Sequence, residues 1–229
     1  MFTISDFIFG GITHTVLHEA KMKKLRENNL ILPKNIFKAV STDSATFYID
    51  DNIETIKEVN TEYNFSDLRP TDNVLDIGAC IGAFSLSIHK KVNHVYAIEP
   101  LMTDSLIRNI ELNNAENITV LDCALGSGET KVSWGIKNKN VIGLSLGEIM
   151  NLCDHHIDFI KTDCEGGEWC MTLSEIFNVR RIEAEVHNFT GLYKFKDFEN
   201  LLNSSGFDYT SRPTNRNTML ISAKNRYID

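Results

Sequence analysis

From about Asn73 onward, short apolar runs alternate with amphipathic ones along the chain. The runs Asn73–Ile77, His94–Ile98, Ile118–Asp122, Ile157–Thr162 and Arg181–His187 read as strands. Between them, apolar positions at helical spacing predict helices over 81–90, 101–114, 167–177 and 194–205. Such alternation builds a parallel sheet with helices on both faces. The C-terminal stretch breaks the rhythm. Phe207–Arg212 and Thr218–Ala223 are strand-like, and the polar link between them is too short for a parallel crossover. The fold class is therefore α/β: a doubly wound, mostly parallel, Rossmann-like sheet with an antiparallel C-terminal hairpin.

Elsewhere the pattern is looser. Lys131–Ile136 reads as an extra strand and Leu144–Met150 as a short helix. Near the N-terminus, Thr13–Glu27 has the spacing of an amphipathic helix, and Phe47-Tyr48-Ile49 that of a short strand. Residues 1–70 are expected to form a mixed, partly helical cap, and 71–229 the ligand-binding domain.

Charge narrows the partners. Lys plus Arg number 23 against 31 for Asp plus Glu, a formal net charge of −8. Phosphate backbones need a basic face, so this balance disfavours nucleic acid without excluding it. The five cysteines include no C-x-x-C pair, which points to a reducing compartment. No stretch approaches the ~20 apolar residues of a membrane span. The apolar run Phe7–Ile12 is short and lacks preceding basic residues, so it makes a poor signal peptide. A cytoplasmic protein without membrane partners is expected; nothing in the sequence sets its oligomeric state.

The strongest chemical signal is Val74-Leu75-Asp76-Ile77-Gly78-Ala79-Cys80-Ile81-Gly82, a buried strand running into a glycine turn. A dinucleotide fingerprint needs Gly at 78, 80 and 83, but positions 80 and 83 hold Cys and Ala. Instead a carboxylate, Asp76, precedes the turn, and an acid there suits a cationic ligand. Glu99 follows Asp76 by 23 residues, where a ribose-binding acid belongs; Asp122 ends the third strand, placed to accept from an adenine amino group. Asp163 ends the fourth. Four carboxylates at four strand ends suit S-adenosylmethionine, which carries an ammonium, a sulfonium and a ribose diol but no phosphate. The expected cofactor contacts are Asp76, Gly78, Ala79, Cys80, Gly82, Glu99, Pro100, Asp122, Cys123, Ala124 and Asp163.

These motifs carry a resemblance. VLDIGACIGAFSLSIHK, AIEP and Asp158–Trp169 (DFIKTDCEGGEW), together spanning about 55–190, resemble the FkbM family of methyltransferases. The most specific part is Asp158, Lys161, Asp163, Glu165, Gly166 and Glu168; Cys80, where Asn is common, departs from the pattern. The resemblance implies a class I methyltransferase fold and O-methylation of a small-molecule or glycan hydroxyl. Asn109-Ile110-Glu111-Leu112-Asn113 is similar to a helix of tRNA guanine N1-methyltransferases. That keeps RNA methylation as an alternative, beside a non-catalytic cofactor-binding protein.

Methyl transfer to a hydroxyl needs positioning and a base. Asp163 and Glu165 leave the fourth strand at a glycine turn, so one is expected to hold ligand and the other to act as base. Against this, Glu165 and Glu168 can simply favour a helix N-terminus. In Arg181–Asn188 (RIEAEVHN), Glu183, Glu185 and His187 share one face, which puts His187 at the strand's C-terminal end as a candidate base. The alternative is a solvated loop histidine, and Glu183 reads as structural. Asp163, Glu165, Glu185 and His187 can meet around a divalent ion, and Cys153-Asp154-His155-His156 is ligand material without zinc spacing. No metal is assigned. Trp134 and Trp169 read as packing residues.

Overall fold

The computed structural model describes residues 5–9, 12–16, 38–49, 53–135 and 137–228. An N-terminal antiparallel sheet comprises β1 (Ser5–Phe9), β2 (Ile12–Val16), β3 (Lys38–Ser41) and β4 (Thr46–Ile49), followed by α1 (Ile53–Glu62). Alternating units follow: β5 (Asn73–Ile77), α2 (Ala83–Ile88), β6 (His94–Ile98), α3 (Thr103–Leu112) and β7 (Ile118–Leu121). A small three-stranded sheet of β8 (Ala124–Leu125), β9 (Gly128–Trp134) and β10 (Lys137–Leu144) leads to α4 (Leu146–Asn151). The chain closes with β11 (Phe159–Thr162), α5 (Leu173–Ile176), β12 (Arg181–His187), α6 (Phe195–Ser204), β13 (Phe207–Asn215) and β14 (Thr218–Asn225).

The central sheet has the order β13-β14-β12-β11-β5-β6-β7. The four pairings that join β12, β11, β5, β6 and β7 are parallel, and β14 lies antiparallel between β12 and β13, as the short link required. Alternation divides each strand between two cores. Val74, Val95, Ala97 and Phe159 pack on one face with Phe47, Ile56 and Phe84. Leu75, Ile77, Tyr96, Ile98, Ile160 and Ile182 pack on the other with Leu146, Phe198 and Phe207. Both faces are covered, so β5 and β11 are buried at every position.

Two helix expectations change. Thr13–Val16 belongs to β2, where β-branched residues pair between β1 and β3; residues 17–27 lie outside the described residues. The helix expected over 167–177 is a 3₁₀ turn, Gly167–Cys170, followed by α5. Thr172 interrupts it by starting a new helix, its N–H and hydroxyl both donating to the Glu175 carboxylate. The extra strand near 131–136 is one arm of the β9–β10 hairpin.

Asn109 and Asn113 are placed by this packing. One turn apart on α3, they face β4. Asn109 Oδ1 accepts from Tyr48 N (2.7 Å), and its Nδ2 donates to Ile81 O (2.8 Å). Asn113 bonds both the N–H and the carbonyl of Thr46. The pair is thus an internal clasp joining the N-terminal sheet to the glycine turn. Asn109→Ala strands buried backbone groups, an expected loss of about 2–4 kcal/mol. Thermal unfolding should fall by roughly 5–15 °C; an unchanged melting point would mean that the clasp carries no load.

Candidate functional site

The C-terminal ends of β5, β6, β7, β11 and β12 form one edge, where open α/β sheets bind ligands. At its centre the chain turns sharply: Gly78, Cys80 and Gly82 all have positive φ (79°, 52° and 89°). Gly78 N and Ala79 N donate to Ile98 O, and Lys161 Nζ donates to Gly78 O (3.0 Å). A Cβ on Gly78 would lie 1.8 Å from Asp163 O, so this turn and the end of β11 touch backbone to backbone.

Glu99 ties the turn to β6. Its Oε2 accepts from Cys80 N (2.8 Å), and its Oε1 accepts from the N–H groups of Leu101 and Met102. Burial raises the Glu99 pKa, with those three N–H groups pulling it back down. Three of about four acceptor positions are used, so one ribose hydroxyl can be accepted directly and a second only by displacing the Cys80 N–H. The Cys80 thiol is pushed up to about 12 by burial and by Glu99, which makes it an inert neighbour rather than a nucleophile.

Asp76 does not reach the ligand edge. It is fully buried, accepts from Ser85 Oγ (2.6 Å) and pairs with Lys161 Nζ (3.3 Å). In register, Asp76, Lys161 and Glu183 stand side by side on β5, β11 and β12. Burial opposes the Lys161 charge, yet Asp76 and Asp163 hold its pKa above the usual lysine value. Glu183 is structural, as expected: it binds Arg181 (2.7 Å), Asn64 N and Ser222. The expected direct contact of Asp76 is therefore corrected to an indirect one, through Lys161 and the Gly78 carbonyl.

Asp122 is half-exposed and gripped by Lys139 Nζ of β10, 3.0 Å from each carboxylate oxygen. Lys139 also donates to Pro100 O. The side chains of Cys123 and Ala124 point into buried packing, so only their backbone is offered to a ligand. A cleft of about 310 Å³ lies beside Asp122, Glu129 and Lys139.

The other end of the edge is acidic. Glu165, at φ 59°, heads the turn after β11, and His187 ends β12. His187 Nε2 lies 3.8 Å from Glu165 Oε2 and 3.9 Å from Glu185 Oε1, while Nδ1 lies 3.5 Å from Glu168 Oε1. Glu168 is fully buried and accepts from Cys164 N (2.7 Å) and Gly166 N (3.0 Å). Trp169 Nε1 donates to His187 O, fixing the strand end, and its ring stacks on Tyr193 at 4.6 Å. Asp163 accepts from the Tyr63 hydroxyl (2.9 Å). Asp163, Glu165 and His187 are thus brought together as expected, joined by Glu185.

Burial disfavours protonated His187, but Glu168, Asp163 and Glu165 outweigh it and lift its pKa to about 9. Burial, with Asp163 next, raises Glu185 to about 7. Burial also raises Glu165, with His187 opposing and Asp163 adding to the rise. Near neutral pH the bare cluster thus holds an imidazolium among crowded carboxylates, and Glu185 is poised closest to neutrality. Sequence reasoning weighs Glu185 only as a metal ligand and Glu168 only as a motif and helix-terminus residue, and it misses Tyr63. The E-x-H alternation carried a signal for Glu185, whereas Tyr63 approaches from 100 residues away. The His155 ring, weighed as ligand material, instead bonds the Tyr96 hydroxyl (2.6 Å).

The fibrillarin pre-rRNA processing protein of Methanococcus jannaschii matches the architecture with a TM-score of 0.52, covering 98% of this chain and 99% of that one at 14% identity. TYW2 of M. jannaschii, in complex with AdoMet, matches with a TM-score of 0.51 over 85% and 88% of the two chains at 17% identity. The fold is that of a class I methyltransferase. Within this methyltransferase fold, an uncharacterized RNA methyltransferase of Streptococcus mutans is 37% identical over 138 residues, 58% of this chain and 28% of that protein. The 23S rRNA (uracil(1939)-C(5))-methyltransferase RlmD of Histophilus somni is 35% identical over 78 residues, 33% and 18% of the two chains. The matched part is less than a third of either curated relative. No protein-family model matches the chain. No helix among the described residues is long and apolar enough to cross a membrane.

Proposed function

We propose that the chain is an S-adenosylmethionine-dependent methyltransferase acting on a hydroxyl of a small molecule or glycan, as the FkbM resemblance implies. The observation that carries this reading is the acidic edge: Glu99, pinned beside the Gly78–Gly82 turn, continues into Asp163, Glu165 and Glu185. Carboxylates there suit an ammonium, a sulfonium and a diol, and they repel a pyrophosphate. When bound, S-adenosylmethionine supplies a methyl group whose bond to sulfur breaks as the bond to the acceptor oxygen forms.

The chain's own residues do the rest. Glu99 takes the ribose side, and the β9–β10 hairpin closes the Asp122 side through Lys139. A groove of about 410 Å³, lined by Glu62, Tyr63, Glu183, Arg212 and Leu220, adjoins the acidic cluster and offers room for an acceptor. Residues 61–64 form one wall of it, which fits the capping role proposed for the N-terminal region. Glu165 and Glu185, steered by His187, stand where the acceptor proton must leave.

A second reading, RNA methylation, is favoured by the RNA methyltransferases among the curated relatives. Against it stands the net charge of −8. A labelled-methyl transfer screen on extract fractionated into small molecules, glycans, RNA and protein decides between them. Label in the RNA fraction alone would replace the hydroxyl reading with the second, and no label anywhere would leave a non-catalytic cofactor-binding protein.

Two variants test the machinery. Glu99→Gln is expected to weaken S-adenosylmethionine at least about tenfold by calorimetry, through a lost charge-assisted bond. Tight NAD binding with no response to S-adenosylmethionine would remove the cofactor assignment. His187→Ala and Glu165→Ala should each lower turnover by about 10²–10⁴-fold with little change in cofactor affinity. Near-normal rates in both, and in Glu185→Gln, would move the base elsewhere.

A further inference from the structure

We propose that Asp163, Glu185 and His187 form a divalent-cation site of the Mn²⁺ class on the acceptor side of the cleft. Each offers one ligand atom, and these atoms lie within 4.8 Å of one another. Metal–ligand bonds of about 2.1 Å bring neighbouring donor atoms to roughly 3.0–3.4 Å, so side-chain shifts of about 1 Å close the set. Two carboxylates and one imidazole, with room left for water or hydroxyl oxygens, suit Mn²⁺ better than a thiolate-seeking ion.

The histidine points independently to a ligand. His187 is more than nine-tenths buried, yet its Nδ1 has no hydrogen-bond partner among the described residues. Its Nε2 faces Glu185 and Glu165 at 3.9 and 3.8 Å. Its Nδ1 faces Glu168, whose carboxylate is itself fixed by Cys164 N and Gly166 N. A carboxylate behind the far nitrogen is the arrangement that orients a metal-binding imidazole. Asp163 is prepared in the same way. Tyr63 and Lys161 both approach Oδ2, leaving Oδ1 without a partner among the described residues. The cation would sit beside the acceptor groove, where it can hold vicinal hydroxyl oxygens. Its binding does not rest on the methyl-transfer reading, because it is measured on the protein alone.

The test is Mn²⁺ titration of the full chain, followed by loss of the free-ion electron paramagnetic resonance signal. One tightly held ion per chain is expected. Glu185→Gln, His187→Gln and Asp163→Asn should each weaken it at least about tenfold, and Glu168→Gln by about 10–100-fold, in variants whose circular dichroism is unchanged. Glu111→Gln, on the exposed side of α3, should leave it unaltered. Three results overturn the site: several weak ions stripped by about 0.3 M salt, equal weakening by Glu111→Gln, or competitive displacement of Mn²⁺ by S-adenosylmethionine. The last would assign the acids to the cofactor's own positive charge.

Discussion

Gly78→Ala is expected to abolish S-adenosylmethionine binding and to lower the melting temperature by at least roughly 6–12 °C. Two independent costs meet at this residue. Its φ of 79° lies in the left-handed region, where an L-residue loses about 1–2 kcal/mol. The added Cβ would stand 1.8 Å from Asp163 O and 2.7 Å from Asp163 C. Both clashing atoms are backbone, so no rotamer relieves them, and the turn must lift away from β11. That movement pulls the Gly78 carbonyl from Lys161 and loosens the Cys80–Glu99 bond. Gly82→Ala makes a useful comparison: its nearest clash is the flexible Leu106 Cδ1 at 2.8 Å, so a smaller loss is expected. Equal melting points for Gly78→Ala and the wild type would show that the two loops do not touch in solution.

Lys161→Met should cost about 3–5 kcal/mol in urea unfolding, because it leaves a buried carboxylate without a counter-charge. Asp76 Oδ1 makes no hydrogen bond among the described residues, and its one charged partner is Lys161. The double variant Lys161→Met with Asp76→Asn removes both charges while keeping an acceptor for Ser85. It should recover most of the loss, since a buried pair replaced by neutral groups is often nearly isoenergetic. A single variant within about 1 kcal/mol of wild type would rule out that role for the ammonium.

The strands at the centre of the sheet could be read from the sequence because β5, β6 and β11 are buried on both faces, and near-continuous apolar runs are the pattern such burial demands. Glu165 and His187 were also legible, since the strand-end rule places any polar residue after β11 and β12 at the ligand edge. Asp76 was not. Its role depends on Lys161 standing in register on the neighbouring strand, a pairing that no local spacing encodes. The same holds for Asn109 and Asn113, whose helical spacing was visible but whose partners, Tyr48 and Thr46, lie more than sixty residues away. Of the N-terminal sheet only Phe47–Ile49, part of β4, was legible, because Ile12–Val16 is short and fits a helical period as easily as an alternating one. Only its pairing with β3, across a long intervening segment, decides the matter.

The insertion of β14 between β12 and β13 gives the site a place in time. Glu185 and His187 stand on β12, and β14 pairs with β12 from Lys224 opposite Arg181 to Thr218 opposite His187. During synthesis, β12 emerges before β14 and remains an open edge until residues 218–225 are available to cover it. An uncovered edge is a template for pairing with other chains. A nascent chain stalled before Thr218 should therefore carry its glycine turn and Glu99 yet lack a settled acidic cluster, and it should be captured by holdase chaperones. Pairing of residues 218–225 with β12 is then the event that closes the sticky edge.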